Sequence, residues 1–196
     1  MIPRVRSFVA FVSVLALIAG IALLLYARWS EPQLEAAAAV QAGDAAHALD
    51  VYRVSTARFK EMPITQQLFS RDFARATHNQ LALLYKAGNY DAVIETADTA
   101  PPAAAPHFWV GCALFAKSEL EKKPEARLEW LTRAKDSFKL ALAAAPDDWD
   151  TKYNYELSSR LSTALRTKPK QVPPALMQLL RPSKEGPVRE PVKKTG

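Results

Sequence analysis

Residues that build reactive or metal-binding sites are scarce in this sequence. Its 196 residues include one cysteine, Cys112, and three histidines. A single cysteine excludes an internal disulfide and a cysteine-based metal site, and the apolar sequence neighbours of Cys112 favour a small buried residue over a reactive thiol. His47, His78 and His107 are far apart and belong to no HExxH motif. With no GxSxG motif and no phosphate-binding loop, the sequence argues against an enzyme, a cofactor and a small-molecule substrate.

The acidic run DDWD at residues 147–150 does not fit a calcium-binding loop. Counted from Asp148 as the first ligand, an EF-hand needs glycine where Tyr153 stands and an oxygen ligand where Lys152 stands. Capping of a helix N-terminus and compensation of its dipole account for these carboxylates. We therefore expect no metal site.

The folded part of the chain lacks an excess of positive charge. The net charge is +6, but residues 31–166 hold 16 Lys/Arg and 18 Asp/Glu. The excess lies around residues 1–30, with three Arg, and in residues 167–196, with 7 Lys/Arg and 2 Glu. A nucleic-acid-binding domain needs a basic face on its folded part, so this distribution argues against such a partner.

One long apolar run, residues 7–26, has no charge, no proline and a single glycine. Twenty helical residues at about 1.5 Å per residue reach across the ~30 Å hydrocarbon core of a bilayer. The run is longer than a signal-peptide core and lacks a good cleavage site, which favours an uncleaved anchor over a cleaved signal. Arg4 and Arg6 before it predict a cytoplasmic N-terminus. We expect residues 1–30 to anchor the chain in a bacterial inner membrane, with residues 31–196 in the periplasm.

Residues 31–166 show helical rather than alternating apolar spacing, which predicts an all-α domain. A first helix pair is predicted over about residues 31–56, opened by Glu31 and Pro32, and residues 57–69 are predicted to be a connector. Later helices are predicted at about 70–86, 90–98, 106–121, 124–145 and 149–165. Residues 167–196 are proline-rich and basic, which favours a disordered tail. Within the tail, PALMQLL at 174–180 is interpreted as a weakly helical patch rather than a docking helix.

Antiparallel helix pairs with glycine turns and a following proline are typical of tetratricopeptide repeats of about 34 residues. The chain resembles that family at Ala134, Phe138, Ala141 and Pro146, which match the spacing of the second-helix signature. Further matches are Gly43, Asp44, Ala48 and Tyr52 in the first pair and Leu81, Ala82, Tyr85 and Gly88 in the second. The second pair is shorter than the family's repeat, the third is longer near residues 122–127, and the fourth has only its first helix. An unrelated all-α bundle remains the alternative.

The resemblance implies a curved solenoid with a groove that binds a peptide or a partner's tail. Arg71, Arg75 and Asn79 recur every four residues on one helix face, and we predict that they bind a partner unless they form a solvated outer face. The last predicted helix offers Trp149, Lys152 and Asn154 as further candidates, and ordinary repeat packing is the alternative there.

A closer resemblance lies in PDDWDTKYNYELSSRL at residues 146–161. This segment is similar to DDW-[DE]-x-[KR]-YN-x-E-L-x-x-R-L in small membrane-anchored proteins encoded beside MoxR-type ATPases and von Willebrand A-domain proteins. Together with the length and the single N-terminal anchor, it resembles the MxaK family of methanol dehydrogenase maturation clusters. The specific match covers about sixteen residues.

The resemblance implies an accessory function in assembly or maturation of a periplasmic dehydrogenase such as methanol dehydrogenase. Its implied partners are von Willebrand A-domain membrane proteins and the client dehydrogenase. A permanent structural subunit of an envelope complex with MoxR-type ATPase and von Willebrand A-domain partners is the alternative. Another is an anchor that acts through its basic tail on anionic lipid or an acidic partner.

Overall fold

The computed structural model describes residues 2–167, and within them every regular element is helical. The helices are α1 (Ile2–Gln41), α2 (Ala45–Glu61), α3 (Pro63–Leu68), α4 (Ser70–Lys86), α5 (Tyr90–Asp98), α6 (Pro106–Leu120), α7 (Pro124–Ala144) and α8 (Trp149–Thr167), with a 3₁₀ turn at Pro102–Ala104. The predicted all-α class is therefore confirmed over this part of the chain. The predicted tail lies outside the described residues, apart from Thr167.

Helix α1 is a single helix of 40 residues, and its first half is long and apolar enough to span a membrane. The large apolar side chains between Phe8 and Tyr26 are exposed, so no other described element covers them. The prediction that a separate helix opens at Glu31 and Pro32 is wrong, because α1 continues through Pro32. Proline removes one backbone donor from the helix, and the Ser30 hydroxyl donates to the Ala27 carbonyl oxygen at 3.2 Å just before it.

The predicted connector at residues 57–69 is also wrong, because α2 extends to Glu61 and α3 follows at once. Arg58 and Lys60 in the last turn of α2 complement the negative end of its dipole. Pro63 occupies the start of α3, where a proline needs no backbone donor. The Thr65 hydroxyl donates to the Met62 carbonyl oxygen at 2.6 Å, which closes the turn between the two helices.

The remaining predicted helices agree with the structure within one or two residues, because their ends carry strong local signals. Gly43 and Gly88 follow α1 and α4 with φ of +82° and +74°, in the left-handed region that glycine favours. Asp44 and Asn89 then cap α2 and α5, as their side-chain oxygens accept from the backbone N–H groups three residues on.

Each helix packs mainly against its sequence neighbours, with α3 beside α2 and α4. The α4 helix contacts α2 and α5, and the α6 helix contacts α5 and α7. Alternate helices also touch, since α6 contacts both α4 and α8. Four apolar clusters run along this stack, centred on Tyr52, Leu81, Phe138 and Leu161. The core is therefore a row of linked clusters rather than one central core.

Helices α6 and α7 approach each other closely at Gly111. A Cβ atom at Gly111 would lie 2.6 Å from Cε1 of Phe138, whose side chain is fully buried. Real Cβ contacts essentially never come within 3.0 Å, so the ring occupies the space that a side chain on residue 111 would need. Ala134, also fully buried, lies one turn before Phe138 on the same face. Small residues on both helices thus let the large ring lie between them.

Candidate partner-binding surfaces

The three predicted residues on α4, which form the α4 stripe, differ in exposure. Arg71 and Arg75 are exposed, whereas Asn79 is half-buried and its amide donates to the Tyr52 hydroxyl at 2.9 Å. The Tyr52 side chain is itself 3 % exposed. Asn79 therefore ties α4 to α2, and its amide is already engaged by the fold.

A small groove lies where α1, α2 and α4 meet. Its volume is about 300 Å³, and its lining comprises Ala37, Val40, Gln41, Tyr52, Asn79, Ala82, Leu83 and Lys86. Its polar groups are the amides of Gln41 and Asn79, the Tyr52 hydroxyl and the Lys86 ammonium, and the remaining lining residues are apolar. Arg71 and Arg75 are not part of the lining. The structure thus brings Asn79 and Lys86 into a concavity together with α1 residues that the sequence pattern did not single out.

The candidates on α8 form a second, separate surface. Trp149 is 79 % exposed, and Lys152 Nζ lies 4.9 Å from the centroid of its ring. The same ammonium is 3.8 Å from an Asp147 carboxylate oxygen. Asn154 is half-buried, and Tyr153 beside it is exposed. Trp149 and Tyr153 are one helical turn apart, so they present a paired aromatic surface to solvent. The α8 surface is separated from the α4 stripe, because α6 packs between α4 and α8.

No protein-family model, curated protein or solved structure matches this chain. Its surfaces and its sequence patterns are the grounds on which a function is assigned.

Burial and neighbouring ionisable groups raise the pKa values of Cys112 on α6 and Tyr85 on α4. Burial, together with the nearby Asp150 carboxylate, raises the pKa of the Cys112 thiol to about 12. Burial, with Cys112 and Tyr90 adding to it, raises the pKa of Tyr85 to about 12. Both side chains are therefore neutral at physiological pH. Cys112 is partly buried rather than fully buried as its sequence neighbours predicted, and a thiol that stays protonated is a poor nucleophile.

A larger cleft of about 730 Å³ lies between the ends of α5 and α7, the 3₁₀ turn and the starts of α6 and α8. Its walls are largely alanine and proline, and Asp98, His107 and Asp148 are among its polar lining residues. The sequence pattern did not predict this cleft. The available signal was the run of small residues at 143–145 opposite the proline-rich turn at 101–106.

The acidic residues at the start of α8 engage the helix itself. The Asp148 carboxylate accepts from the Asp150 backbone N–H at 3.2 Å and from the Thr151 hydroxyl at 2.5 Å. Among the residues that the structure describes, no group of three or more His, Cys, Asp or Glu side chains could hold a metal ion.

Proposed function

We propose that this chain is a membrane-anchored accessory protein that binds other proteins through its helical domain. We propose further that it acts in the assembly or maturation of a periplasmic dehydrogenase similar to methanol dehydrogenase. The observation that carries the first part is α1, in which an uncovered apolar half continues without a break into a stack of packed helices.

The anchor is supported by the exposure of the apolar half of α1. The side chains of Phe8, Leu17 and Leu24 are between 64 % and 73 % exposed. Exposed apolar surface of this extent has a large free-energy cost in water, at about 25 cal/mol per Å². A bilayer removes that cost. Arg4 and Arg6 before the apolar run favour a cytoplasmic N-terminus, which supports a periplasmic position for the domain and the tail.

A tetratricopeptide-like stack is supported by the packing of each helix on its sequence neighbours. We assign the end of α1 with α2, then α4 with α5, then α6 with α7, as successive pairs, and α8 as a terminal cap. Contacts of α6 with both α4 and α8 are those expected when first helices line one side of a solenoid. The fit of Phe138 over Gly111, beside Ala134, adds to the sequence match at that pair.

The assignment to dehydrogenase maturation rests on the similarity of residues 146–161 to the MxaK family. In the structure this segment forms the start of α8, where Trp149 and Tyr153 are exposed rather than used in the core. Its expected partners are von Willebrand A-domain membrane proteins and a client dehydrogenase.

The same aromatic pair favours a second candidate function. A permanent subunit of an envelope complex buries an apolar patch, and Trp149 with Tyr153 at 79 % and 61 % exposure is such a patch on α8. In this case the partner stays bound in a fixed ratio and no client is exchanged.

Capture of partners by the full-length protein tests the proposal. Tagged protein is solubilised in mild detergent from cells that express the neighbouring proteins, and co-purifying proteins are identified by mass spectrometry. We expect a dehydrogenase and von Willebrand A-domain proteins. Arg75→Glu tests the α4 surface and Trp149→Ser tests the α8 surface. Arg53→Glu on α2 is the matched control, because Arg53 is exposed and makes only a surface ion pair with Asp50 at 3.5 Å.

The outcomes separate the two candidates. Sub-stoichiometric capture that is lost in one of the two test variants and kept in Arg53→Glu supports the accessory function. A fixed-ratio complex without a dehydrogenase supports the permanent subunit. Recovery of neither class of protein contradicts both.

A further inference from the structure

The short helix α3 exposes apolar side chains that the core does not use. Met62, Ile64 and Leu68 are 47 %, 60 % and 70 % exposed, whereas Thr65, between them in sequence, is 7 % exposed. Ile64 and Leu68 are four residues apart and therefore share one face of the helix. The opposite face holds α3 in place, because the Gln66 amide donates to the Phe59 carbonyl oxygen at 3.0 Å. The apolar face of α3 thus points away from the domain on a fixed support.

This face lies at the level where the apolar run of α1 ends. The rings of Tyr26, the last residue of that run, and Phe69, the residue after α3, have centroids 6.4 Å apart. The α2 helix runs back along α1 from the turn at Gly43, and His47 Nε2 lies 3.0 Å from Glu35 Oε1. From His47 to Glu61, α2 descends by about 21 Å at 1.5 Å per residue. This distance brings its end and α3 down to the last apolar turns of α1.

Cations surround the same level. Arg28 follows the apolar run by two residues, Arg58 and Lys60 occupy the last turn of α2, and Arg71 lies in the first turn of α4. All four side chains are exposed, and the Lys60 ammonium donates to the Thr99 hydroxyl at 2.6 Å. Acids lie at this level too: Glu31 is one turn after Arg28, Glu61 and Asp72 are next to Lys60 and Arg71, and Asp98 is next to Thr99. An apolar patch bordered by exposed cations suits the boundary between acyl chains and lipid headgroups.

We propose that α3 lies in the membrane interface, with Met62, Ile64 and Leu68 in the outer acyl region and the surrounding cations on lipid phosphates. The inference rests on the proposed anchor, since α1 brings α3 to the bilayer. Its occupant is the lipid surface, because the patch is continuous with the apolar run through the Tyr26–Phe69 contact. In this placement Arg71 contacts a lipid headgroup instead of a protein partner.

Site-specific fluorescence in vesicles tests this placement. Full-length protein carrying Cys112→Ser receives one new cysteine at a time, as Leu68→Cys, Leu120→Cys or Leu17→Cys, and each is labelled with an environment-sensitive dye. Leu120 is the matched control, as its side chain is 71 % exposed, like that of Leu68. Leu120 ends α6, at the ends of the helices opposite to α3. It lies one turn after Lys117, which pairs with Asp91 at the start of α5. Leu17 reports on the anchor itself.

The labelled proteins are reconstituted in vesicles of phosphatidylethanolamine and phosphatidylglycerol, with and without brominated acyl chains, and are also exposed to aqueous iodide. We expect brominated lipid to reduce the signal at position 68 by a fraction comparable to that at position 17, and to leave position 120 unchanged. Iodide should quench position 120 and spare position 68.

Three other outcomes overturn the inference. Quenching by lipid at position 17 without quenching at position 68 would support the anchor and show that α3 lies outside the membrane. Loss of lipid quenching at both positions contradicts the anchor and α3 together. Protection of position 68 from iodide without quenching by lipid shows that protein, in this purified system a second copy of the chain, covers the patch instead.

Discussion

Substitution of Gly111 by alanine tests the close approach of α6 and α7. The new methyl group would lie 2.6 Å from the Phe138 ring, whereas carbon atoms prefer separations of about 3.5–4.0 Å. Overpacking of this kind costs about 1–3 kcal/mol. Alanine in a helix interior restores about 0.5–1 kcal/mol relative to glycine. We therefore expect Gly111→Ala to lower the free energy of unfolding by about 1–2 kcal/mol.

A double-mutant cycle measures this interaction directly. Full-length protein in detergent is unfolded with urea, and helix content is followed by circular dichroism for Gly111→Ala, Phe138→Leu and the double variant. Leucine lacks the Cε1 and Cζ atoms that the new methyl group would overlap, and its δ carbons can rotate away. In the Phe138→Leu background, alanine at position 111 should therefore stabilise the domain. The sign of the alanine effect should thus reverse, with a coupling energy of about 2 kcal/mol.

Gly20→Ala is the matched control, because nothing lies within 4 Å of the position that its Cβ would take. We expect it to leave the unfolding of the domain unchanged. Equal effects of Gly111→Ala with and without the Phe138 ring would refute the reasoning, since the cost would not then come from the ring. A stabilising effect in the wild-type background would refute it as well.

Two further predictions concern a helix cap and the buried thiol. Asp44→Ala should cost about 1 kcal/mol, because the carboxylate accepts from the His47 backbone N–H at 3.0 Å; Asp50→Ala, on the exposed surface of the same helix, should change thermal stability little. The pKa of Cys112 is raised from 9.0 to about 12, so above pH 9 the unfolded chain releases a thiol proton that the folded chain retains. Stability should therefore fall between pH 9 and 12, by about 1 kcal/mol per pH unit. Unfolding curves at pH 8.5 and 10.5 should show this loss in wild type, and an equal loss in Cys112→Ala would contradict it.

The helix ends marked by glycine, proline and capping residues could be predicted from the sequence. Gly88 ends α4 and Asn89 caps α5 through contacts within a few residues, so the local pattern contains the necessary information. Pro106 and Pro124 start α6 and α7 for the same reason. These boundaries depend little on tertiary packing.

The two wrong boundaries involve prolines that the pattern alone cannot interpret. Pro32 could start a helix or lie within one, and the packing of α1 on α2, through Ala36 and Ala48 among others, accompanies the second arrangement. The predicted connector includes Pro63, which instead starts a short helix. That helix is held by the bonds from Gln66 to the Phe59 carbonyl and from Thr65 to the Met62 carbonyl. In both cases contacts distant in sequence or between adjacent elements decide the outcome.

The candidate surfaces were predictable only in part. Helical spacing placed Arg71 and Arg75 on one exposed face, but the bond from Asn79 to Tyr52 joins residues 27 positions apart and has no local signature. The exposure of Trp149 likewise depends on how α8 packs on α7, which the repeat pattern does not specify. Spacing therefore identifies a face, and tertiary contacts decide which of its members are free.

The continuity of α1 through Pro32 also fixes the distance between the apolar run and the far end of the helix. From Tyr26 to Gln41 the helix rises by about 23 Å, so in the anchored protein the turns at Gly43 and Gly88 stand at roughly that height above the bilayer. A domain on a flexible linker samples many heights and orientations, whereas a helix that enters the domain directly gives it little freedom to swing. Under the proposed anchoring, a partner that contacts the ends of the helices farthest from the membrane would have to present its binding segment within this distance of the bilayer.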